Sequence, residues 1–485
     1  MTLTLRDPAL LRSENLIGGH WFGAHAARDV FNPATAERIG SVPMLSRTDV
    51  QAAVAAASSA QAPWAATTAQ DRGDMLKRLS RLMTDSADDL AVIITSEQGK
   101  PLKEARAEVA YAAGYLDWFA EEARRVYGET LPSPWADRRL LVLKQPVGVF
   151  AALTPWNFPL AMLVRKMAAG WAAGCAGVAR PDITTPLSAL AFAVLAERAG
   201  IPNGVCNIVT GDSHVTGLEL CENASVRKLS FTGSTRVGAI LLGQCAPTIK
   251  RTSMELGGNA PFIIFDDADI DAAVAGAIAA KFRNAGQTCV CANRFLVQDG
   301  IYDRFAERFA AAALSLVVGN GMDAATDIGP LRGEAGTSRM AAFIEDAAAR
   351  GAVVLAGADT PVPSPTYFAP TIVGDVAPEA RLFKEEIFGP VAPLTRFGSE
   401  AEAIELANAS DHGLASYFYS RDVGRVFRVA EAIEAGMVGI NTGAISTEVA
   451  PFGGVKASGS GREGSRHGIE DYLEMKFLCL GGIAG

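Results

Sequence analysis

Val147-Gly148-Val149-Phe150-Ala151-Ala152-Leu153-Thr154-Pro155-Trp156-Asn157-Phe158-Pro159 is an apolar run of strand length that ends in a turn held between two prolines. A segment rich in Ala and Leu, of helical character, follows it, and the same unit recurs up to Leu256. Apolar runs at 176–179, 205–209, 229–232 and 252–256 predict strands, and helices are expected near 160–173, 187–199, 213–221 and 235–245. Strand, Gly or Pro turn and helix in alternation point to a doubly wound α/β sheet with short connections.

Upstream, Ser46-Arg47-Thr48-Asp49 has capping-box character, and Val50, Val54 and Ala57 follow at helical spacing. Met75, Leu76, Leu79, Leu82 and Met83 mark a second helix, and Leu102, Ala105, Val109, Ala112, Leu116 and Phe119 a longer third. Residues 140–143 predict a strand before Pro146. Downstream, a second α/β section opens with a strand at 262–265, after which Asp269 caps a helix carrying Ile270, Val274, Ile278 and Phe282. Tyr302, Phe305 and Phe309 mark another helix, and Ser399-Glu400-Ala401-Glu402 is a second capping box. Gly436 is expected to stop the helix that precedes 437–441, and the Gly-rich tail 453–468 reads as loop.

A chain of 485 residues is long enough for two or three domains and a large core. The net charge of −9 is spread over interspersed acids and bases, with no basic stripe for neutralising phosphates, which argues against nucleic acid. No run of about 18 apolar residues suggests a membrane span, and residues 1–15 lack signal or transit character. The seven cysteines (Cys175, Cys206, Cys221, Cys245, Cys289, Cys291 and Cys479) are odd in number and lack zinc-type spacing. The expectation is a cytoplasmic protein in a reducing compartment, with no metal.

Chemistry concentrates in Arg283-Asn284-Ala285-Gly286-Gln287-Thr288-Cys289-Val290-Cys291, which sets a thiol after a Gly-containing turn and before a strand-like run at 293–297. Cys289 is a candidate nucleophile, although a free cysteine is more often an inert, buried hydrophobe. Asn157, held between Pro155 and Pro159, is suited to donate its amide to an oxyanion; the plainer role is an Asx turn. Glu255 ends a strand at Leu256-Gly257-Gly258 and is expected to emerge with little steric cover, either as a general base toward water or as an ordinary surface carboxylate. No GxGxxG occurs. Phe231-Thr232-Gly233-Ser234-Thr235-Arg236-Val237-Gly238 is the nearest substitute, a strand opening into a helix whose free N–H groups would suit a pyrophosphate or simply be capped.

Taken together, Thr154-Pro155-Trp156-Asn157-Phe158-Pro159, Phe231-Thr232-Gly233-Ser234, Glu255-Leu256-Gly257-Gly258, Gly286-Gln287-Thr288-Cys289 and Glu385-Glu386-Ile387-Phe388-Gly389-Pro390 resemble the aldehyde dehydrogenase superfamily in kind and order, over nearly the whole chain. The chain is most similar to the succinate-semialdehyde dehydrogenases, through Phe282-Arg283-Asn284, Cys289-Val290-Cys291, Asn441-Thr442-Gly443, Pro451-Phe452-Gly453-Gly454-Val455-Lys456 and Gly461-Arg462-Glu463-Gly464. The resemblance implies a Rossmann-type cofactor domain (1–125 and 147–256), an α/β catalytic domain (257–455) and small β segments for oligomerisation (126–146 and 470–485). It implies a homodimer or homotetramer.

By the same resemblance, Cys289 attacks an aldehyde, the Asn157 amide and the Cys289 N–H hold the oxyanion, and Glu255 activates the water that hydrolyses the thioester. Trp156, Lys166, Arg180, Gly233, Ser234, Glu386 and Phe388 are the implied contacts of NAD or NADP. Arg165, Arg283 and Ser446 would meet the remote carboxylate of succinate semialdehyde, the fork of an arginine being suited to bind it bidentately. Glutarate semialdehyde differs by one methylene, worth only about 1–3 kcal/mol in discrimination, and a broader aldehyde range also fits. A coenzyme A acylating enzyme or a non-catalytic binding protein fits the motifs less well, since Glu255 is a water-activating base and Cys289 and Asn157 are retained with it. In Arg180-Pro181-Asp182-Ile183 the family usually has Lys for Arg180 and Glu or Ser for Ile183. Without an acid there, and with an arginine able to pair a 2′-phosphate, the loop leans toward NADP. Cys291 raises the idea of a disulfide with Cys289, but a packing thiol is the expectation, because bridging across one residue needs backbone movement.

Overall fold

The computed structural model describes residues 3–24, 26–357 and 360–483. Ala484 and Gly485 of the expected oligomerisation segment, and Met1, Thr2 and His25 of the expected cofactor domain, lie outside the described residues.

Five strands of the repeating unit form the parallel centre of an eight-stranded sheet, in the order Cys206–Ile208, Gly177–Arg180, Val149–Leu153, Val226–Thr232 and Arg251–Glu255. Chain order runs outward in one direction from Val149–Leu153 and then resumes on its other side at Val226–Thr232. The sheet therefore has a topological switch point between those two strands, and ligands of open α/β sheets bind beyond the carboxyl ends there. The intervening helices, Pro159–Ala173, Leu187–Ala199, Ser213–Glu222 and Thr235–Cys245, match the sequence expectation within about two residues.

Two edges of this sheet were not legible locally. Gly18 and Gly19, both at positive φ, close a two-residue hairpin between Asn15–Ile17 and His20–Phe22, which extends one edge. On the other edge, Gly459–Ser460 from the tail read as loop pairs antiparallel with Met254 and Glu255. A Cβ on Gly459 would stand 1.9 Å from the Met254 carbonyl oxygen, so only glycine permits this approach.

The second sheet has seven strands in the order Val353–Ala356, Thr371–Gly374, Val391–Phe397, Ala292–Gln298, Ala260–Ile264, Ala415–Tyr419 and Met437–Ile440, parallel except for the first pair. The chain passes directly from the last parallel strand of the first sheet through Leu256-Gly257-Gly258-Asn259 into this one. A third, antiparallel sheet joins Leu473–Leu480, Arg139–Pro146 and Glu129–Leu131.

The Ser46 capping box forms as expected, with Ser46 and Asp49 exchanging side-chain and backbone bonds. The second does not close. Ser399 accepts from the Glu402 N–H, but Glu402 turns to the N–H of Gly398. Gly436 likewise does not end its helix, which stops at Ala432; a Cβ there would lie 1.9 Å from the Gly453 carbonyl oxygen, so the glycine serves a close crossing of two loops.

Candidate active site

A cleft of about 820 Å³ opens at the switch point of the first sheet, against the amino-terminal side of the second. Three connections deliver its walls. Trp156 and Asn157 follow Val149–Leu153, Gly233 and Ser234 follow Val226–Thr232, and Cys289 precedes Ala292–Gln298. Of the residues singled out in the sequence, Trp156, Asn157, Arg165, Arg180, Gly233, Ser234, Arg283, Cys289, Glu386, Phe388 and Ser446 line this one cleft, although they are spread over nearly three hundred positions. Lys166 and Glu255 stand behind its wall.

Cys289 is presented by a strained turn. Asn284 and Ala285 both have φ +54, and Gly286 has φ +74, where a Cβ would meet the Gly389 carbonyl oxygen at 2.2 Å. The side chain of Asn284 bonds the carbonyls of Asn157 and Gln287 at 3.0 and 3.1 Å, tying the thiol turn to the turn that carries Asn157. One N–H of the Asn157 amide donates to the Gln287 carbonyl at 2.9 Å. A carboxamide has two such protons, so the second is left for a ligand. The Cys289 N–H donates to no protein acceptor among the described residues. Burial pushes the thiol up to about 12, with the nearby Arg165 cation opposing the shift, so the sulfur is protonated at neutral pH and needs a base to ionise it.

Glu255 differs from its expectation. It is 1% exposed rather than open, with Glu463, Arg165, Lys166 and Arg462 around it, and neither carboxylate oxygen has a hydrogen-bond partner among the described residues. Burial, then the facing charge of Glu463, holds its carboxyl well above the usual range. Lys166 also departs from its assignment as a cofactor contact. Its ammonium is fully buried on the Thr232 hydroxyl at 2.7 Å and on Glu463, because helix Pro159–Ala173 turns that face into the core rather than the cleft.

Glu463 is the residue that sequence reasoning quoted in a motif but gave no role. It pairs with both Arg165 and Lys166, and those two cations outweigh burial and keep it below the usual carboxylate range. The signal was available: Gly461 and Gly464, both at positive φ, bracket it and force a tight loop. Arg165 spends its Nε edge on Glu463, whereas both terminal nitrogens are buried without a protein acceptor among the described residues. Its guanidinium lies 4.3 Å from the Phe452 ring centroid. Two buried, unsatisfied cationic donors on a cleft wall are chemically suited to an anion.

At the other end, Trp156 and Phe388 meet edge to face at 5.7 Å, and Arg332 covers Trp156 at 5.1 Å while reaching Asp182 at 3.3 Å. Ser234 caps helix Thr235–Cys245, as the plainer reading of this turn has it, and Gly233 lines the cleft. Glu386 accepts from the Gly258 N–H at 3.1 Å. Arg180 is nearly buried, with its Nε unpartnered among the described residues, and Ile183 and Ser213 border the same end. Cys291 turns away from Cys289, its sulfur donating to the carbonyl oxygens of Lys281 and Ala292 at 3.4 and 3.5 Å, as a packing thiol does.

The model of the "Aldehyde dehydrogenase family" matches residues 21–478. The chain belongs to that family. Three relatives illustrate the range of aldehyde dehydrogenases it is similar to. The 3-sulfolactaldehyde dehydrogenase of Pseudomonas putida is 55% identical over 483 residues, covering 99% of both chains. The NADP(+) succinate-semialdehyde dehydrogenase of Escherichia coli K12 is 55% identical over 481 residues, covering 99% of this chain and 100% of that one. The glutarate-semialdehyde dehydrogenase of Pseudomonas putida KT2440 is 55% identical over 480 residues, with the same coverage. No helix among the described residues of this aldehyde dehydrogenase is long and apolar enough to cross a membrane.

Proposed function

We propose that this chain oxidises an aldehyde bearing a distal anion, with succinate semialdehyde as the leading substrate, to the corresponding acid with NAD or NADP as hydride acceptor. One observation carries the reading. The Cys289 thiol and Arg165, two of whose nitrogens have no partner among the described residues, line the same cleft, which supports an aldehyde at one end of the substrate and an anion at the other. Arg283 and Ser446 border the cleft as further donors. The three relatives act, by their names, on aldehydes carrying a sulfonate or a carboxylate. Equal identity to all three does not rank tail length, and glutarate semialdehyde is the second reading.

In this mechanism the Cys289 proton passes to a base and the thiolate adds to the aldehyde carbon. The second Asn157 N–H and the Cys289 N–H stabilise the oxyanion, removal of one such donor typically costing about 2.7–4 kcal/mol of barrier. The nicotinamide supplies a hydride acceptor when bound. Glu255 then takes a proton from water, hydroxide adds to the thioester, and the carbon–sulfur bond breaks to release the acid. The residues present suit the dinucleotide: a helix amino terminus at Ser234, an acceptor at Glu386, the Trp156 and Phe388 rings, and the unpartnered Arg180 Nε beside Ile183, which favours NADP.

We propose the cofactor domain as 1–125 with 147–256 and the catalytic domain as 257–455, supported by the way the two large sheets divide the chain. Pairing of subunits through 126–146 and 470–485 into a homodimer or homotetramer is supported by apolar Met475 and Phe477, which stand 73% and 57% exposed on the edge strand Leu473–Leu480. A cytoplasmic location is supported by the free cysteines.

The test is an initial-rate panel of aldehydes with and without a distal carboxylate or sulfonate, each run with NAD and with NADP. Arg283→Ala is expected to raise KM for acid-tailed substrates by roughly 10- to 100-fold, the loss of a charge-assisted contact, and to leave an uncharged aldehyde of equal length nearly unchanged. Equal effects on both would remove the anion assignment.

A further inference from the structure

Two buried charges hold the turn that carries Asn157. Helices Ala87–Gln98 and Leu102–Glu122 are joined at Gly99, whose φ of +100 turns the chain sharply, and Lys100 follows at the corner. The Lys100 ammonium donates to the Asn157 carbonyl oxygen at 2.8 Å and to one Glu108 carboxylate oxygen at 2.6 Å, and both charged side chains are fully buried. The other carboxylate oxygen of Glu108 accepts from the Leu160 and Ala161 N–H groups at 3.0 and 3.1 Å. These belong to the first turn of helix Pro159–Ala173, where N–H groups have no partner within the helix. One ion pair therefore grips both ends of the stretch from Asn157 to Ala161. Between them lies the Phe158 ring, its centroid 3.7 Å from the Lys100 nitrogen.

The grip closes into a ring that includes the thiol turn. The Lys100 N–H donates to the Gln98 side-chain oxygen at 2.9 Å, and the Gln98 amide donates to the Asn284 side-chain oxygen at 2.9 Å. Asn284 in turn donates to the Asn157 carbonyl beside Lys100. A carbonyl oxygen has two lone pairs, so that of Asn157 accepts all it can and its peptide plane is fixed. The side-chain amide is held as well, one proton being spent on the Gln287 carbonyl. Its remaining N–H thus has a set direction relative to the thiol turn. Stability does not explain the arrangement. Desolvating two charges offsets most of their attraction, and an apolar pair of similar volume serves a helix contact as well or better. A fixed donor has a different worth, because preorganised hydrogen bonds aimed at a developing charge lower a barrier without reorganisation.

We propose that Lys100 and Glu108 are positioning residues of the oxyanion site: Glu108 holds the Lys100 ammonium, and the ammonium pins the Asn157 backbone so that the free amide proton meets the oxygen of the attacked aldehyde. The inference rests on the function proposed above. In the step served, a bond forms between the Cys289 sulfur and the aldehyde carbon, the carbonyl π pair moves onto oxygen, and the thiol proton goes to a base. Lys100 and Glu108 exchange no proton and no electron with the substrate. They act through Asn157.

Single-turnover formation of reduced nicotinamide in the full-length enzyme, with succinate semialdehyde and NADP, reads this step. Lys100→Met should slow it by about 10- to 100-fold, the loss that follows a small misplacement of a reacting group. Two further readouts separate positioning from general damage. Alkylation of Cys289 by iodoacetamide forms no oxyanion, so its rate should stay within about twofold of the parent. In an Asn157→Ala background, where the donor is already gone, Lys100→Met should cost less than about twofold more, since residues that act as a unit are not additive. Should Lys100→Met fail to fold, Glu108→Gln carries the test. Its amide oxygen can still accept from Leu160 and Ala161, but the charge that holds Lys100 is lost, and the single turnover should slow by about three- to tenfold with the same two signatures. Arg106→Gln, on the outer face of the same helix where Arg106 pairs with Asp88 at 2.9 Å, is the control and should behave as parent. A parent rate in every folded variant, alkylation falling in step with oxidation, or full additivity with Asn157→Ala overturns the positioning role while leaving the function intact. A parent enzyme that forms no reduced nicotinamide overturns both.

Discussion

Glu386 illustrates how one side chain joins the two halves of the cleft. Its carboxylate holds the Gly258 N–H and stands so close that a Cβ on Gly257 would come within 2.9 Å of it. Burial raises its pKa to about 7, the Gly258 hydrogen bond and Arg339 opposing. A carboxyl with a raised folded pKa contributes stability that is fully present below its unfolded value near 4.5 and is lost as pH rises through about 7. Glu386→Gln removes that dependence. Thermal or urea unfolding should therefore show the variant gaining on the parent between about pH 5 and about pH 8, by up to about 3 kcal/mol. A constant difference across that range would show that Glu386 titrates normally. At this scale the sequence was most legible for Cys289, Asn157, Arg165 and Arg283, whose chemical types suit the expected reaction and which reach one cleft. Glu255 was expected in the open and is buried, because burial depends on segments two hundred and more residues away.

The thiol turn and the Gly257-Gly258 crossing form one packed element. A Cβ at Gly258 would lie 2.3 Å from the Cys289 carbonyl oxygen, a backbone atom that has no room to move without displacing the thiol. Gly258→Ala should lower stability by about 1–3 kcal/mol, the usual cost of an added methyl in packed space, and should suppress the burst of reduced nicotinamide. Gly243→Ala is the contrasting case. It lies on the exposed face of helix Thr235–Cys245 with nothing within 4 Å, so the change should raise stability by as much as about 1 kcal/mol through helix propensity alone and leave the burst intact. Similar melting temperatures for the two variants would refute the close-approach argument. Helices and strands were legible from periodicity because each buries one face. The Asn15–Phe22 hairpin and the strand Gly459–Ser460 were not, because they are too short to show a period and exist only by pairing with a sheet already formed.

For the whole molecule, the antiparallel sheet of Leu473–Leu480, Arg139–Pro146 and Glu129–Leu131 stands apart from the two large ones, and its edge strand exposes Met475 and Phe477. Introducing Met475→Glu with Phe477→Glu should convert an oligomer to monomers in light scattering after size exclusion and lower its melting temperature, since like charges would face each other across the strand edges. An unchanged mass would place the subunit contact elsewhere. The doubly wound fold class followed from sequence alone, because strand and helix periods and glycine and proline turns are local properties of the chain, whereas the roles of the motifs came from their family resemblance. Tertiary structure alone decided that Glu255 is buried, that Glu463 holds Arg165 and Lys166, and that Lys228, Ser230 and Thr232 make a polar face inside the first sheet. The physical reason is that burial and charge pairing arise between segments far apart in sequence, and the electrostatics of the site exists only where those segments meet.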